Sequence, residues 1–202
     1  MKDDLRGPKI AIGQVRKLDS IRGIASSRLV AIAEVDSSDA TCLVFLLGNS
    51  PDAATPRDVE IPKEISKLPY DIALMSDYLS RADQGRLIGN PVLGELSKSL
   101  IQAVREAVIE NPYGALKFDV KKYSVSVGSY PAQKYDAVWS FRDAEAENFT
   151  LLTFVRNKIS INFALKFYQT NVDNIEAFCE PEVPLDAIRL RGLSNERIEV
   201  AA

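Results

Sequence analysis

The chain has 202 residues, of which 46% are hydrophobic and 26% are charged, and these proportions indicate a globular protein rather than a disordered chain. Its formal net charge is −3, so any contact with nucleic acid would need a local basic patch. The chain contains no histidine, which excludes serine–histidine and cysteine–histidine nucleophile systems and histidine-containing metal sites. Catalysis would therefore use arginine, lysine, carboxylate, hydroxyl or backbone groups.

The cysteines and the hydropathy of the chain indicate in which cellular compartment it is expected. Cys42 and Cys179 are far apart and lack paired spacing, so neither a disulfide framework nor a zinc site is expected, and both residues are predicted to be buried thiols. The N-terminal residues 1–8 lack an apolar signal core, and no apolar run approaches the length that spans a membrane. These features predict a cytoplasmic protein with no membrane association, no metal and no cofactor.

The N-terminal half contains short apolar segments separated by turn residues, a pattern typical of a small β barrel or sandwich. The turns are marked by Asp36–Asp39 and Gly48–Asp52, where aspartate, asparagine, serine, glycine and proline accommodate unusual backbone conformations. Strands are predicted at residues 9–18, 29–35, 41–47 and 57–61, and a further strand is predicted to begin at residues 72–75.

The most informative stretch runs from residue 71 to residue 108. Residues 71–88 predict a strand that leaves the core and enters a polar turn. Ser97 is a candidate N-cap, and the apolar residues that follow it recur at helical spacing, which predicts one amphipathic helix. These apolar residues are Leu100, Ile101, Val104 and Val108. The segment Asn111–Gly114 ends that helix and predicts a domain boundary, so the first module covers residues 1–114.

The remaining residues, 115–202, are predicted to form a β-rich C-terminal domain of unknown role. Strands are predicted at residues 123–127, 137–141, 149–155 and 159–168, with a hairpin turn at 156–158. The segment is rich in aromatic residues, Phe141 among them, interleaved with lysines. Such residues usually form a sheet core, and the alternative is that they stack unpaired bases.

The order of these elements resembles the toxin superfamily that contains MazF, PemK/Kid and CcdB. Gly13–Asp19 is similar to the opening strand of that family, and Arg28–Ile32 is similar to its second strand. Asp58–Ile61 and Asp83–Leu87 match later landmarks, so the resemblance covers residues 9–110. It implies a mainly β fold with α elements: an SH3-like small barrel with a terminal helix, here followed by the β-rich extension. It also implies a homodimer that a cognate antitoxin neutralises.

The resemblance implies a metal-independent endoribonuclease acting on single-stranded RNA, with an arginine after the first strand and a hydroxyl residue at the end of the third. Arg28 matches the arginine by position, and Arg22 lies across the same glycine- and serine-containing loop. An ungapped match places Leu47 at the hydroxyl position, and a short shift brings Asn49 or Ser50 there. The candidate catalytic residues are therefore Arg28, Arg22, Ser50 and Asn49. Guanidinium groups suit this chemistry because they stabilise charge on a phosphorane.

Two interpretations from other classes stay open at this point. The same barrel could be a non-catalytic protein-binding module, as in the gyrase-poisoning branch of the family, and the acidic composition favours this alternative. The chain could also be a structural or regulatory protein whose C-terminal sheet carries the working surface. The alternative to a phosphate contact for Arg22 and Arg28 is that both are ordinary solvated loop arginines. Whether the protein is an enzyme is left open by the sequence.

Overall fold

A computed structural model describes residues 9–22, 25–131 and 137–154 of the chain, with only the backbone of the last residue. Seven strands and five α-helices occur in these ranges. The strands are β1 (Gln14–Leu18), β2 (Arg28–Asp36), β3 (Thr41–Gly48), β4 (Asp58–Ile61), β5 (Ile72–Asp83), β6 (Val92–Glu95) and β7 (Ser126–Val127). The helices are α1 (Lys63–Ser66), α2 (Gly85–Ile88), α3 (Lys98–Glu110), α4 (Val120–Tyr123) and α5 (Ala137–Phe154).

The strands form one antiparallel sheet in the order β6-β1-β2-β3-β5-β4-β7. The sheet is open, with β6 and β7 at its two edges. The prediction of a β-rich fold with helices is confirmed, whereas the closed SH3-like barrel is not. None of the helices in the described ranges has the length and the apolar character needed to cross a membrane.

Both faces of the sheet are covered. Successive strand residues point to opposite faces, and accordingly Val30 and Val44 belong to one apolar cluster while Ala31 and Phe45 belong to another. Helix α5 contributes Phe149 and Leu152 to the first cluster. Helix α3 packs on the second face through its own apolar stripe, which consists of Leu100, Ile101, Val104 and Ala107. The sheet is thus sandwiched between two helices that are far apart in sequence.

Several predicted elements of the first module are confirmed. Helix α3 begins after Ser97, whose side chain accepts a hydrogen bond from the Leu100 amide, and it ends at Glu110, just before Asn111. The segment from residue 71 forms β5, as predicted, but the polar turn expected after it contains the one-turn helix α2. Strand β1 begins only at Gln14, because Gly13 adopts a positive φ of 89° and breaks the extended conformation.

Of the three strand predictions for the second module that fall on described residues, two are wrong and one is only partly confirmed. Residues 137–141 and 149–155 were expected to be strands, but residues 137–154 form the single helix α5. Residues 123–127 contain the end of α4 and the two-residue strand β7, not one continuous strand. The physical reason is tertiary packing: Phe149 and Leu152 reach the sheet from one side of a helix, which overrides the β preference of the aromatic residues. The strand at 159–168 and the turn at 156–158 lie outside the described residues.

A buried ion pair joins α5 to the first module. The Arg142 guanidinium donates to both carboxylate oxygens of Asp58, at 2.5 and 3.2 Å, and the two side chains are 3% and 0% exposed. Strand β7 also pairs with β4 at Val59 and Glu60. Residues on both sides of position 114 therefore share one sheet, and the division of the chain at that position stays a prediction.

Candidate functional site

A cleft lies at the end of the sheet where β2 begins and β3 ends. Antiparallel pairing of Leu29 with Leu47 brings the first residue of β2, Arg28, close to the end of β3. Asn49 follows directly after β3, and both Arg28 and Asn49 line the cleft. The β2–β3 hairpin therefore brings two of the predicted site residues to the same site.

Helix α5 supplies the other wall of the cleft. Asn148 fastens the helix to the loop before β2, because its amide accepts a hydrogen bond from the Ser26 backbone N–H and donates one to the Ser26 carbonyl, both at 2.7 Å. Glu145 and Phe141 precede Asn148 by one and two helical turns, so all three lie on one face of the helix. Both Glu145 and Phe141 line the cleft.

The central polar contact of the cleft is the Arg28–Glu145 pair. Arg28 Nε and Nη2 donate to the two carboxylate oxygens of Glu145, each at 2.6 Å, in the two-pronged geometry that makes such pairs strong. Arg28 Nη1 donates to the Ser27 carbonyl at 2.9 Å. The Arg28 side chain is 25% exposed and that of Glu145 is 11% exposed, so the pair is shielded but reachable from solvent.

The rest of the lining is aromatic and aliphatic. The cleft has a volume of about 370 Å³, which is within the range of small-molecule sites. Tyr70 and Phe141 line it with 43% and 37% of their surface exposed. Aliphatic residues from three strands also line the cleft, and they are Leu29, Leu47 and Ile72. The cleft thus combines an arginine–carboxylate pair, an amide and two exposed rings.

The structure brings together only two of the four predicted site residues. Arg28 and Asn49 line the cleft, whereas Arg22 and Ser50 do not. Ser50 is exposed, and its hydroxyl lies 3.5 Å from the Asn49 side-chain oxygen, so it touches the site only through Asn49. Arg22 is exposed in the loop that is closed by the Ile21–Ala25 bridge. Of the two polar residues that a shifted family match offered after β3, only Asn49 lines the cleft.

Sequence reasoning missed Glu145 and Tyr70 as site residues, and it assigned Phe141 to a strand. A signal for Glu145 was present: residues 142–147 are rich in alanine and glutamate, which favour helix. On a helix, Phe141, Glu145, Asn148 and Leu152 recur at intervals of three or four and share a face. Tyr70 precedes β5 in a loop and carries no local signal.

The strongly shifted pKa values belong to groups outside the lining of the cleft. Burial raises the pKa of the Cys42 thiol to about 11, and it raises the pKa of Tyr78 to about 12. The predicted burial of Cys42 is confirmed, and Cys179 lies outside the described residues. Tyr78 donates to the Arg142 carbonyl at 3.1 Å, and its ring lies beside the Arg142 guanidinium. These groups are part of the packing beneath α5.

The fold and the cleft together define an α+β protein with an open antiparallel sheet, helices on both faces, and a concave site between the sheet and α5. No protein-family model and no curated protein sequence matches the chain. In the part of the chain that the structure describes, no three cysteine or acidic side chains converge as metal ligands would.

Proposed function

We propose that the protein is a growth inhibitor of the MazF/PemK type that acts as a metal-independent endoribonuclease on single-stranded RNA. The observation that carries the proposal is the convergence of Arg28, Asn49 and Glu145 in one cleft. RNA cleavage by the 2′-hydroxyl is favoured by a cation beside the phosphate and by a group that accepts the hydroxyl proton. In this histidine-free chain Arg28 supplies the cation and Glu145 the proton acceptor.

In the proposed reaction the 2′-hydroxyl of the substrate attacks the adjacent phosphorus. The O2′–P bond forms and the P–O5′ bond breaks, which leaves a 2′,3′-cyclic phosphate and a free 5′-hydroxyl. The proton of the 2′-hydroxyl passes to the Glu145 carboxylate, and the departing 5′-oxygen takes a proton from water. The hydroxide that remains then takes the proton from Glu145, which re-forms water and restores the carboxylate. Arg28 stabilises the charge that builds on the phosphorane oxygens, and Asn49 orients the phosphate through its amide.

The Arg28–Glu145 pair leaves enough hydrogen-bonding capacity for these roles. A guanidinium has five N–H donors, of which Arg28 uses three in its described bonds, so two stay available for phosphate oxygens. Each Glu145 oxygen accepts one bond from Arg28 and keeps a second lone pair for a proton. The pair also fixes the position of both groups before the substrate binds, which lowers the cost of organising them.

The proposal also covers the fold family and the partners that the resemblance implies. It includes a relation to the SH3-like barrel toxins, a homodimer and a cognate antitoxin. Size-exclusion chromatography with light scattering measures the oligomeric state directly. Induction of the chain in a bacterial host, followed by growth and total RNA integrity, measures the inhibition and its cause together.

The direct test incubates purified full-length protein with a labelled single-stranded RNA in the presence of EDTA. The parent is expected to produce fragments that end in a 2′,3′-cyclic phosphate. Arg28→Ala is expected to lower the cleavage rate by about 10²–10³-fold, the usual effect of removing one transition-state donor. Glu145→Gln, which keeps the shape but removes the base, is expected to lower the rate by about 10²–10⁴-fold.

Matched controls come from a second arginine–glutamate pair outside the cleft. Arg105 donates to Glu34 at 2.7 Å. The Arg105 side chain is 25% exposed, as Arg28 is, whereas Glu34 is 38% exposed and therefore more open to solvent than Glu145 at 11%. Arg105→Ala and Glu34→Gln are expected to cleave RNA at the parent rate. Thermal melts establish that each variant is folded. Cleavage at the parent rate by folded Arg28→Ala would refute the assignment.

One observation favours a second candidate function. Arg28 and Glu145 neutralise each other, so this pair gives the cleft no net charge toward RNA. A non-catalytic protein-binding module, such as a gyrase-poison-like inhibitor or a regulatory protein, would not need that charge. Intact RNA together with growth arrest, and a stable protein complex that Arg28→Ala weakens, would support this candidate over the ribonuclease.

A further inference from the structure

We infer that the cleft binds an unpaired nucleobase, which Tyr70 and Phe141 stack against while Arg28 contacts the adjacent phosphate. The inference rests on the proposed function for its substrate class, and it adds the two residues that would hold the base. The ligand is therefore one nucleotide of a single strand, not a base pair.

The exposure of the two rings is the first argument. Phenylalanine is among the residues most often buried, yet Phe141 is 37% exposed, and Tyr70 is 43% exposed. Both rings line the same concave cleft, and apolar surface exposed in a cleft is typical of a ligand site. A ligand with a flat apolar face would explain why these two rings are exposed in the cleft.

The second argument is that both rings are held by well-anchored backbone. Next to Phe141, Arg142 makes the buried ion pair with Asp58. Tyr70 lies between the buried residues Leu68 and Ile72, and the side chain of its neighbour Asp71 accepts a hydrogen bond from the Lys63 amide at 2.8 Å. Rings on fixed backbone lose little conformational freedom when they stack on a base, and this favours binding.

The third argument is chemical complementarity. Stacking on aromatic side chains is how proteins hold unpaired bases, and it tolerates any base because every base has a flat face. The two Arg28 N–H groups that neither Glu145 nor Ser27 uses can bind a phosphate oxygen. A cleft of about 370 Å³ is large enough for a small ligand with both parts. A paired base has no free face, so a duplex is not expected to bind.

The test uses a short single-stranded DNA that carries one 2-aminopurine. It lacks the 2′-hydroxyl and so cannot be cleaved by the proposed reaction, and its fluorescence falls when the base stacks. The full-length protein is expected to quench it saturably, and the duplex of the same sequence is not. Tyr70→Leu and Phe141→Leu are each expected to weaken binding by about tenfold. Tyr70→Phe keeps the ring and is expected to bind as the parent does.

Tyr113 provides the matched control, because it is 95% exposed and does not line the cleft. Tyr113→Leu is expected to bind the probe as the parent does. No quenching by the parent, or equal binding by Tyr70→Leu, Phe141→Leu and the parent, would overturn the inference. Stacking without any cleavage of RNA would support it and contradict the ribonuclease. Cleavage of RNA that is insensitive to both rings would support the ribonuclease and contradict the stacking site.

Discussion

At the scale of single residues, substitution in the buried Asp58–Arg142 pair is expected to destabilise the protein strongly. The Asp58 carboxylate also accepts hydrogen bonds from the Thr55 amide and hydroxyl, at 2.8 and 2.9 Å. Burial acts to lower the pKa of Arg142, but its hydrogen bonds and attraction to Asp58 outweigh that effect and leave the pKa raised. The charges of the pair are thus satisfied inside the protein. Removal of Arg142 leaves the Asp58 carboxylate buried without its cation, whereas Arg142 also lies 3.8 Å from Asp77.

Arg142→Met is expected to lower the free energy of unfolding by about 3–5 kcal/mol, the usual cost of breaking a buried pair. Urea denaturation of the purified protein measures this. The double variant Asp58→Ala/Arg142→Met is expected to lose less than the sum of the two single losses, because it leaves no unpaired charge. Lys67→Met, which removes an exposed partner of Glu95, is the control and is expected to have no measurable effect. Equal losses for Arg142→Met and Lys67→Met would contradict the argument.

The burial of Cys42 predicts that the protein loses stability at alkaline pH. The thiol is fully buried, and burial raises its pKa from the usual 9.0 to about 11. Because the pKa is higher in the folded protein, the protonated thiol contributes to the free energy of unfolding. This contribution is complete below pH 9 and is lost as the pH rises toward 11. The parent is expected to lose stability faster than Cys42→Ala over this interval, by up to about 1.4 kcal/mol per pH unit. Urea titrations of both proteins at pH 8 to 11 test this, and parallel curves would disprove it.

At the scale of elements, Gly13 allows the residue before β1 to lie against Leu96, which precedes α3. Its amide donates to the Ile32 carbonyl at 2.9 Å, and its carbonyl accepts from the Leu96 amide at 2.8 Å. A Cβ at this position would lie 2.1 Å from the Leu96 carbonyl oxygen, and the positive φ of 89° already disfavours side chains. The junction therefore requires glycine for two separate reasons.

Gly13→Ala is expected to lower the free energy of unfolding by at least about 1–3 kcal/mol, measured by urea denaturation. Gly89→Ala is the matched control, since no atom lies within 4 Å of a Cβ there and φ is −68°. It is expected to be neutral or slightly stabilising, because alanine restricts the unfolded chain. If the two variants were equally stable, the close contact with Leu96 would be disproved.

At the scale of the whole molecule, α5 belongs to the same packed unit as the sheet. Phe149 and Leu152 lie in one apolar cluster with Val30 and Val44, and Ser80 on β5 donates to the Thr153 hydroxyl at 3.0 Å. The Arg86 guanidinium also donates to the Leu152 carbonyl. These contacts predict that α5 and the sheet unfold together.

Trp139 lies on α5 and is the only tryptophan of the chain, so its fluorescence reports on that helix. In urea, its transition is expected to coincide with the circular dichroism transition of the whole chain. Phe149→Ala is expected to shift both midpoints together to lower urea, because it leaves a cavity that sheet and helix share. A fluorescence transition that precedes the other would show that α5 unfolds separately and would favour a domain boundary before it.

The sequence by itself determined the elements whose signals are local. Strands β2, β3 and β5 follow from short apolar runs between turns, and α3 follows from its cap at Ser97 and its apolar spacing. Residues within a few positions of one another carry this information. Arg28 and Asn49 were named through the family resemblance, and the observed pairing of β2 with β3 brings them to the same end of the sheet.

Only the tertiary structure decided the other half of the site. Glu145 meets Arg28 across 117 residues of sequence, and no local pattern encodes a contact at that distance. The aromatic residues of α5 predicted strands by their intrinsic preference, but burial of Phe149 and Leu152 against the sheet decides in favour of a helix. Tyr70 joins the cleft because its loop is fixed between Leu68 and Ile72. The carboxylate and the rings of the site thus depend on how the elements dock, and docking is set by the whole core.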